Sequence, residues 1–312
     1  MNEIYYAIIA ILAILFLQCL LAYVYTGKML NKKPYSYHGG LEREIMKGNI
    51  TEEFLQNFIS TEFKIKSPNG YSIYGKYHLQ AVATNKTAII MHGHAGNYIW
   101  SYKYVKIFAD LGYNWFVFDN RGCGNSGGKG YTMGLEESSD LVAVMNFARK
   151  VVPTAQIVLH GESLGASTAI LALDRDLGDD VKCVIADCGF SDLSKEVKYQ
   201  LNINYMPWHF VGIFGSLLTQ IKYGFFFKNV SPLKVLQAGR FETPILFIHG
   251  KQDKKTPCWM AQEMFDAYNG KKEIYLCEKS AHARTYSTDK VKYAKLVEDF
   301  CEKWGGNATR CN

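Results

Sequence analysis

The chain has 312 residues, 48% apolar and 21% charged, a balance that describes a packed globular protein and excludes a disordered one. That length accommodates one large α/β domain or two smaller ones. The formal net charge of +6 is spread along the chain, with no Lys/Arg block and no basic stretch interleaved with aromatics, so nucleic-acid binding has no support.

Ile4 to Tyr25 contains one strongly polar residue, Gln18. As a helix rising about 1.5 Å per residue, it spans roughly the 30 Å of a bilayer core. Tyr5, Tyr6, Tyr23 and Tyr25 stand at its ends, where amphipathic rings suit the membrane interface. No basic n-region precedes the run and no small-x-small cleavage site follows it, so a retained anchor is expected over a cleaved signal peptide. The N-terminal flank carries Glu3, whereas Lys28, Lys32 and Lys33 follow the run. The positive-inside rule then puts the body of the protein on the cytoplasmic side. The eight cysteines include no C-x-x-C pair and read as free thiols, which suits that compartment. Sequons at Asn49, Asn85, Asn229 and Asn307 are near chance in an Asn-rich chain and carry no weight.

Leu41 to Phe58 reads as a juxtamembrane helix broken near Gly48-Asn49, with Thr51 capping the second part and Glu52 and Glu53 in its first turn. Glu62–Lys66 and Tyr71–Tyr77 flank Ser67-Pro68-Asn69-Gly70 and predict an antiparallel hairpin. Strands and helices then alternate. Strands are expected at Thr87–Met91, Trp115–Asp119, Gln156–His160, Val181–Asp187, Pro244–His249 and Glu273–Cys277. Helices are expected at Ile99–Leu111, Leu135–Val151, Ala166–Leu173, Cys258–Tyr268 and Lys290–Trp304. Continuous apolar strands between amphipathic helices predict an α/β fold, mainly parallel, with helices on both faces of the sheet.

The segment 191–240 breaks this rhythm. It is rich in aromatics, among them Tyr205, Trp208, Phe210, Phe214 and Phe225 to Phe227. An insertion this long in an α/β sheet reads as a cap over an apolar substrate pocket. The division expected is therefore an anchor with its basic flank (1–33), a juxtamembrane segment (34–60), a core (61–190 and 241–306), the cap (191–240) and a tail (307–312).

Gly161-Glu162-Ser163-Leu164-Gly165 lies between a strand and a helix. A serine on that sharp corner is lifted above the sheet edge, beside the N–H groups of a helix N-terminus. A hydroxyl is a weak nucleophile and needs a base, which in turn needs an orienting acid. Asp253, after the strand ending at His249, and His282, after the strand ending at Cys277, supply both in the order Ser, Asp, His. Asp187 is the runner-up acid. The developing oxyanion calls for prealigned donors, expected at the N–H of Leu164 and of His94 in His92-Gly93-His94-Ala95-Gly96. His92-x-His94 lacks the acidic or cysteine partners of a metal pair. Asp119 and Arg121 are expected to pair and hold the Gly122–Ser126 loop. That loop lacks the G-x-x-x-x-G-K order of a phosphate cradle, so nucleotide binding is not expected.

From about Thr61 to Trp304 the chain resembles the α/β-hydrolase superfamily, in the branch of monoglyceride lipases, membrane-anchored esterase-like proteins and serine-aminopeptidase-like sequences. The motifs carrying the likeness are His92-Gly93-His94, Asp119-x-Arg121-Gly122-x-Gly124-x-Ser126, Gly161-x-Ser163-x-Gly165, His249-Gly250-x-x-Asp253 and Ala281-His282. The resemblance implies a Ser163–Asp253–His282 triad, oxyanion donors at His94 and Leu164, a helical cap and no cofactor. The expected function is a membrane-anchored serine hydrolase acting on a carboxylic ester or thioester with a medium-length acyl chain. The alternatives are an aminopeptidase-like amide hydrolase and a non-catalytic lipid- or protein-binding protein. The expected partners are a small-molecule or lipid acyl substrate and, through residues 4–25, the bilayer.

Overall fold

The computed structural model describes residues 2–51, 53–54, 59–175 and 177–306. The expected second juxtamembrane turn therefore lies partly outside the described residues, at Glu52 and 55–58, as does the tail 307–312 with Asn307 and Cys311. Thr51 does accept the Phe54 N–H on its Oγ1 at 3.1 Å, the capping contact expected there.

Helix α1 runs Asn2–Leu30 and is long and apolar enough over Glu3–Leu30 to cross a bilayer. Most of its side chains are exposed, but Ala22, Thr26 and Leu30, one turn apart, are buried. Ser36 caps α2 (Tyr37–Met46), its Oγ accepting the Gly39 N–H at 3.1 Å. The helix starts at Tyr37 instead of Leu41 because this cap offsets the weak propensity of Gly39-Gly40. Gly48, at φ +65°, ends it.

Strand β1 (Thr61–Lys66) pairs antiparallel with β2 (Ser72–His78) across the Asn69-Gly70 turn. Strand β3 (Lys86–Met91) leads through a 3-10 turn (Tyr98–Ser101) into α3 (Tyr102–Asp110). Strand β4 (Asn114–Phe118), α4 (Glu137–Val151), β5 (Gln156–Glu162), α5 (Leu164–Ala172) and β6 (Val181–Asp187) follow. The insertion folds as α6 (Leu193–Ile203), a π-turn (Trp208–Gly212), α7 (Ile213–Tyr223), a 3-10 turn (Phe227–Asn229) and α8 (Pro232–Ala238). Strand β7 (Ile245–Gly250), α9 (Trp259–Ala267), β8 (Lys272–Cys277), the single turn α10 (Thr285–Thr288) and α11 (Lys290–Trp304) complete the described fold.

The eight strands form one sheet in the order β1-β2-β4-β3-β5-β6-β7-β8. It is antiparallel at β1, β2 and β4 and parallel from there onward. One face packs on α4, α5 and α9 through residues such as Leu141, Ile170 and Met264. The other packs on α3 and α11 through Val105, Phe108, Val297 and Phe300. With both faces covered, β3, β4, β5 and β7 bury nearly every residue, which explains their unbroken apolar runs.

A third apolar cluster lies outside these two layers. It joins Ala22 and Leu30 of α1 to Leu193, Val211, Phe225 and Phe227 of the insertion and to Leu164. The close approach is specific: a Cβ on Gly215 of α7 would sit 3.0 Å from Thr26 Cγ2. The last turns of α1 thus belong to the folded body.

Candidate active site

The parallel strands end at one sheet edge, where loops gather chemistry in open α/β sheets. Ser163 stands there between β5 and α5, with φ 55° and ψ −115°. A non-glycine residue in that region is strained, and the corner that imposes it depends on two glycines. A Cβ on Gly161 would lie 2.3 Å from the Gly165 carbonyl, and one on Gly165 would lie 2.6 Å from the Met91 carbonyl. The Ser163 N–H donates to the Asp187 carbonyl at 2.7 Å, and its own carbonyl accepts the Ser167 N–H at 3.1 Å.

Ser163 Oγ donates to His282 Nε2 at 2.9 Å, and His282 Nδ1 donates to Asp253 Oδ2 at 2.7 Å. The structure thus brings the three residues into one hydrogen-bonded row. Asp253 is fixed from the other side: Oδ1 accepts the N–H groups of Lys255 (2.8 Å) and Thr256 (2.9 Å). His249 Nε2 lies 3.2 Å from Oδ2 while donating to the Thr256 carbonyl at 2.7 Å. Burial alone would raise the Asp253 carboxyl. The hydrogen bonds from His249 and His282 outweigh it and hold Asp253 below the usual carboxylate range. At His282 burial wins over the nearby Asp253, so the imidazole sits below its ordinary value and is neutral at pH 7. A hydroxyl facing a neutral imidazole that is itself backed by a carboxylate has what proton removal from Oγ requires.

The runner-up Asp187 is not in that row. Its Oδ2 accepts the hydroxyls of Tyr293 (3.0 Å) and Tyr104 (3.3 Å) below the elbow. Burial, then the Glu162 charge, push it up to about 7.

Leu164 is the first residue of α5, so its N–H has no partner within the helix. Gly93 lies against the elbow, since a Cβ there would meet Ser163 Cβ at 3.3 Å, and His94 follows it. His92 pins this loop: Nδ1 donates to the Gly93 carbonyl at 2.7 Å and Nε2 accepts the Asn120 N–H at 3.0 Å. Both ring nitrogens are therefore occupied, which leaves no His92–His94 metal pair. The His94 ring stands edge-on to Tyr131 at 4.4 Å. Among the described residues one group has metal-ligand spacing: Cys188, Asp253 and His282, within 4.8 Å of one another. Its carboxylate and imidazole already bond each other, and burial pushes the Cys188 thiol well above its usual range, so it offers no thiolate.

Two expectations are corrected. Arg121 does not pair with Asp119. It pairs with Glu136 and donates to the Lys129 carbonyl at 3.2 Å. Asp119, fully buried, accepts the N–H groups of Tyr98 (2.9 Å) and Asn125 (3.0 Å) and the Tyr37 hydroxyl. Donors already present in the buried loop satisfy it without an arginine. Nor does the aromatic insertion wall the space over the serine. A cavity of about 150 Å³ lies there, lined by Lys32, Tyr35, Arg43, Glu44 and Lys47 on one side and by Gly93, His94, Trp100, Glu162, Lys255 and His282 on the other. Phe225 and Phe227 of the insertion pack instead with Ala22, Leu30 and Leu164, whereas Tyr205 and Phe210 are exposed. Sequence reasoning missed this wall because nothing local in residues 32–47 marks a contact with a serine so distant along the chain.

A model of the prolyl oligopeptidase family matches residues 100–308, more than half of the chain. The chain belongs to that family. It is 34% identical over 265 residues to the uncharacterized protein YqkD of Bacillus subtilis, covering 84% of this chain and 86% of that one. It is 22% identical to the lysophosphatidylserine lipase ABHD12 of Danio rerio, over 59% of this chain and 47% of that one. Its fold matches that of the Pyrococcus furiosus esterase Pf2001 with a TM-score of 0.67 at 23% identity, covering 82% of this chain and 95% of that one. The protein is a serine hydrolase of the α/β-hydrolase type.

Proposed function

We propose that the protein is a membrane-anchored hydrolase of carboxylic esters or thioesters, with Ser163 as nucleophile, His282 as base and Asp253 as orienting acid. The observation that carries this reading is the continuous row Ser163 Oγ–His282–Asp253, with spacings of 2.9 and 2.7 Å. Ser163 Oγ attacks the substrate carbonyl carbon as its proton passes to His282 Nε2. The carbonyl oxygen becomes an oxyanion facing the N–H groups of Leu164 and His94. When the carbon–leaving-group bond breaks, His282 returns the proton to the leaving oxygen or sulfur. Water, deprotonated by His282, then releases the acid and restores Ser163. Asp253 keeps Nδ1 protonated throughout and stabilises the imidazolium. No cofactor takes part.

Membrane anchoring is supported by the exposed apolar length of α1. Its 28 apolar-segment residues make about 42 Å of helix, beyond a hydrocarbon core of roughly 30 Å. The surplus corresponds to the turns that pack on α7. Ile213, Leu217 and Ile221 of α7, each one turn from the next, are 56%, 46% and 74% exposed beside α1, where a bilayer surface would cover them.

The second reading is peptide hydrolysis by the same residues, favoured by the family's name; the lipase name of one relative favours esters. A fluorophosphonate probe tests the shared chemistry: it should label the native protein and not Ser163→Ala. A folded native protein that stays unlabelled ends the reading. Nitrophenyl esters against aminoacyl anilides then separate the two substrates, and cleavage of the anilides alone overturns the ester preference.

A further inference from the structure

The cavity over Ser163 carries more positive charge than acyl transfer needs. Lys32, Arg43, Lys47 and Lys255 face it, against Glu44 and Glu162. Both carboxylates are already engaged. Glu162 pairs with Lys103, and Glu44 with Lys47 at 3.1 Å, Lys103 at 3.8 Å and Asn49 Nδ2 at 2.7 Å. Among the described residues Lys32, Arg43 and Lys255 make no ion pair within 4 Å, although Glu196 and Asp253 attract Lys255 from farther off.

Arg43 is held by rings instead. Its guanidinium lies 4.1 Å from the Trp100 ring centroid and 5.2 Å from that of Tyr35. Stacking uses the face of the guanidinium and leaves the N–H donors at its edge for an acceptor. Lys32 and Lys255 both line the cavity, and the charge of one acts on the other. Burial, then the Lys32 charge, push the Lys255 ammonium below the usual lysine value, and both lysines help to push His94 down to about 3 after burial. Like charges meeting in a shielded space repel, and an anion between them reverses the sign. The same wall holds one buried donor without a partner, Trp100 Nε1. The volume, about 150 Å³, is well below the roughly 300 Å³ from which whole-ligand pockets begin, so it takes the polar end of a substrate only.

We infer that the preferred substrate carries a carboxylate or phosphate group next to its scissile carbonyl, and that Lys32, Arg43 and Lys255 hold this anion. The inference deepens the hydrolase reading and rests on it. A small soluble ester and a lipid headgroup at the bilayer surface both present such a group, and Lys32, two residues beyond α1, is positioned for either.

The full-length protein in detergent is assayed with two probe pairs. The soluble pair is 4-nitrophenyl acetate against 4-nitrophenyl hydrogen succinate. The lipid pair, in mixed micelles, is 1-acylglycerol against 1-acylglycerol 3-phosphate. The expected result is a kcat/KM ratio of anionic to neutral substrate above about ten in one pair, expressed in KM, that collapses at least about tenfold in Arg43→Gln and in Lys255→Gln. Preference in the soluble pair assigns a small anionic ester, and preference in the lipid pair a headgroup. Ratios near one in both pairs, or a preference that survives both substitutions, overturn the inference. Should the variants not fold, the wild type decides: inorganic phosphate must slow fluorophosphonate labelling of Ser163 more than chloride of equal ionic strength, and equal rates overturn it. Labelling and ester turnover without anion preference defeat this inference alone, whereas loss of both defeats the hydrolase reading with it.

Discussion

The Lys103 ammonium pairs with the Glu162 carboxylate one residue before Ser163, with the two side chains only 2% and 4% exposed. The same lysine faces Glu44 of α2 at 3.8 Å, and the Tyr104 hydroxyl donates to Glu162 at 2.6 Å. Burial opposes both charges, yet the pairing overcomes it, raising Lys103 and lowering Glu162. One lysine thus ties α2 to the base of the elbow.

Lys103→Met should therefore leave the buried Glu162 carboxylate without its cation, while Glu44 keeps Lys47, and lower stability by about 3–5 kcal/mol. The pH dependence carries the sign. Glu162 in the native fold lies below its ordinary value of 4.5, so its contribution is full above pH 4.5 and is lost as pH falls further. In Lys103→Met the carboxyl should rise instead, and the stability gap to the wild type should narrow on acidification from pH 7. Urea unfolding at pH 7 and pH 5 checks both; a gap independent of pH contradicts the assignment.

His282 sits below its ordinary value of 6.5 because burial outweighs the nearby Asp253. Only the neutral ring can take the proton from Ser163. The kcat/KM profile should be flat from pH 7 upward to about 8 and fall only below pH 6.5. Asp253→Asn should lower kcat by about 10⁴-fold through the wrong imidazole tautomer. A profile centred above 6.5 in the wild type would contradict the geometry.

Ser163 holds a positive φ that glycine adopts without strain. Ser163→Gly and Ser163→Ala should both be inactive, but the glycine variant should be more stable than the alanine variant by about 1 kcal/mol, the lower end of such strain. Paired thermal melts in the same detergent measure the difference. Equal melting temperatures would mean that the corner stores no strain.

Gly215 lets α7 approach Thr26 of α1. Gly215→Leu should pry the end of α1 from the insertion and increase proteolytic cleavage near residues 30–35 at least several-fold, while Ile221→Ser, on the exposed side, should not. Timed digestion followed by mass spectrometry reads the outcome.

Much of the fold was legible because its signals are local. The Val181–Asp187 strand and the Lys290–Trp304 helix have the bounds expected from apolar run and periodicity, and the hairpin follows from Asn69-Gly70. The order Ser163, Asp253, His282 was legible because each residue follows its own strand. The wall formed by Lys32 and Arg43 was not, since its contacts, such as Arg43 on Trp100, join parts of the chain more than fifty residues apart. Neither was the Arg121–Glu136 pair, because which of two nearby acids an arginine meets depends on the direction a loop takes after it leaves the sheet.

Ala22, Thr26 and Leu30 also bear on how the protein is handled. Trimming the first thirty-three residues to obtain a detergent-free fragment would do more than remove a greasy leader. It would strip Lys32 from beside the reactive serine and bare the underside of the insertion. If Lys32 holds a substrate anion as inferred, such a fragment should lose the anion preference even where it still turns over esters.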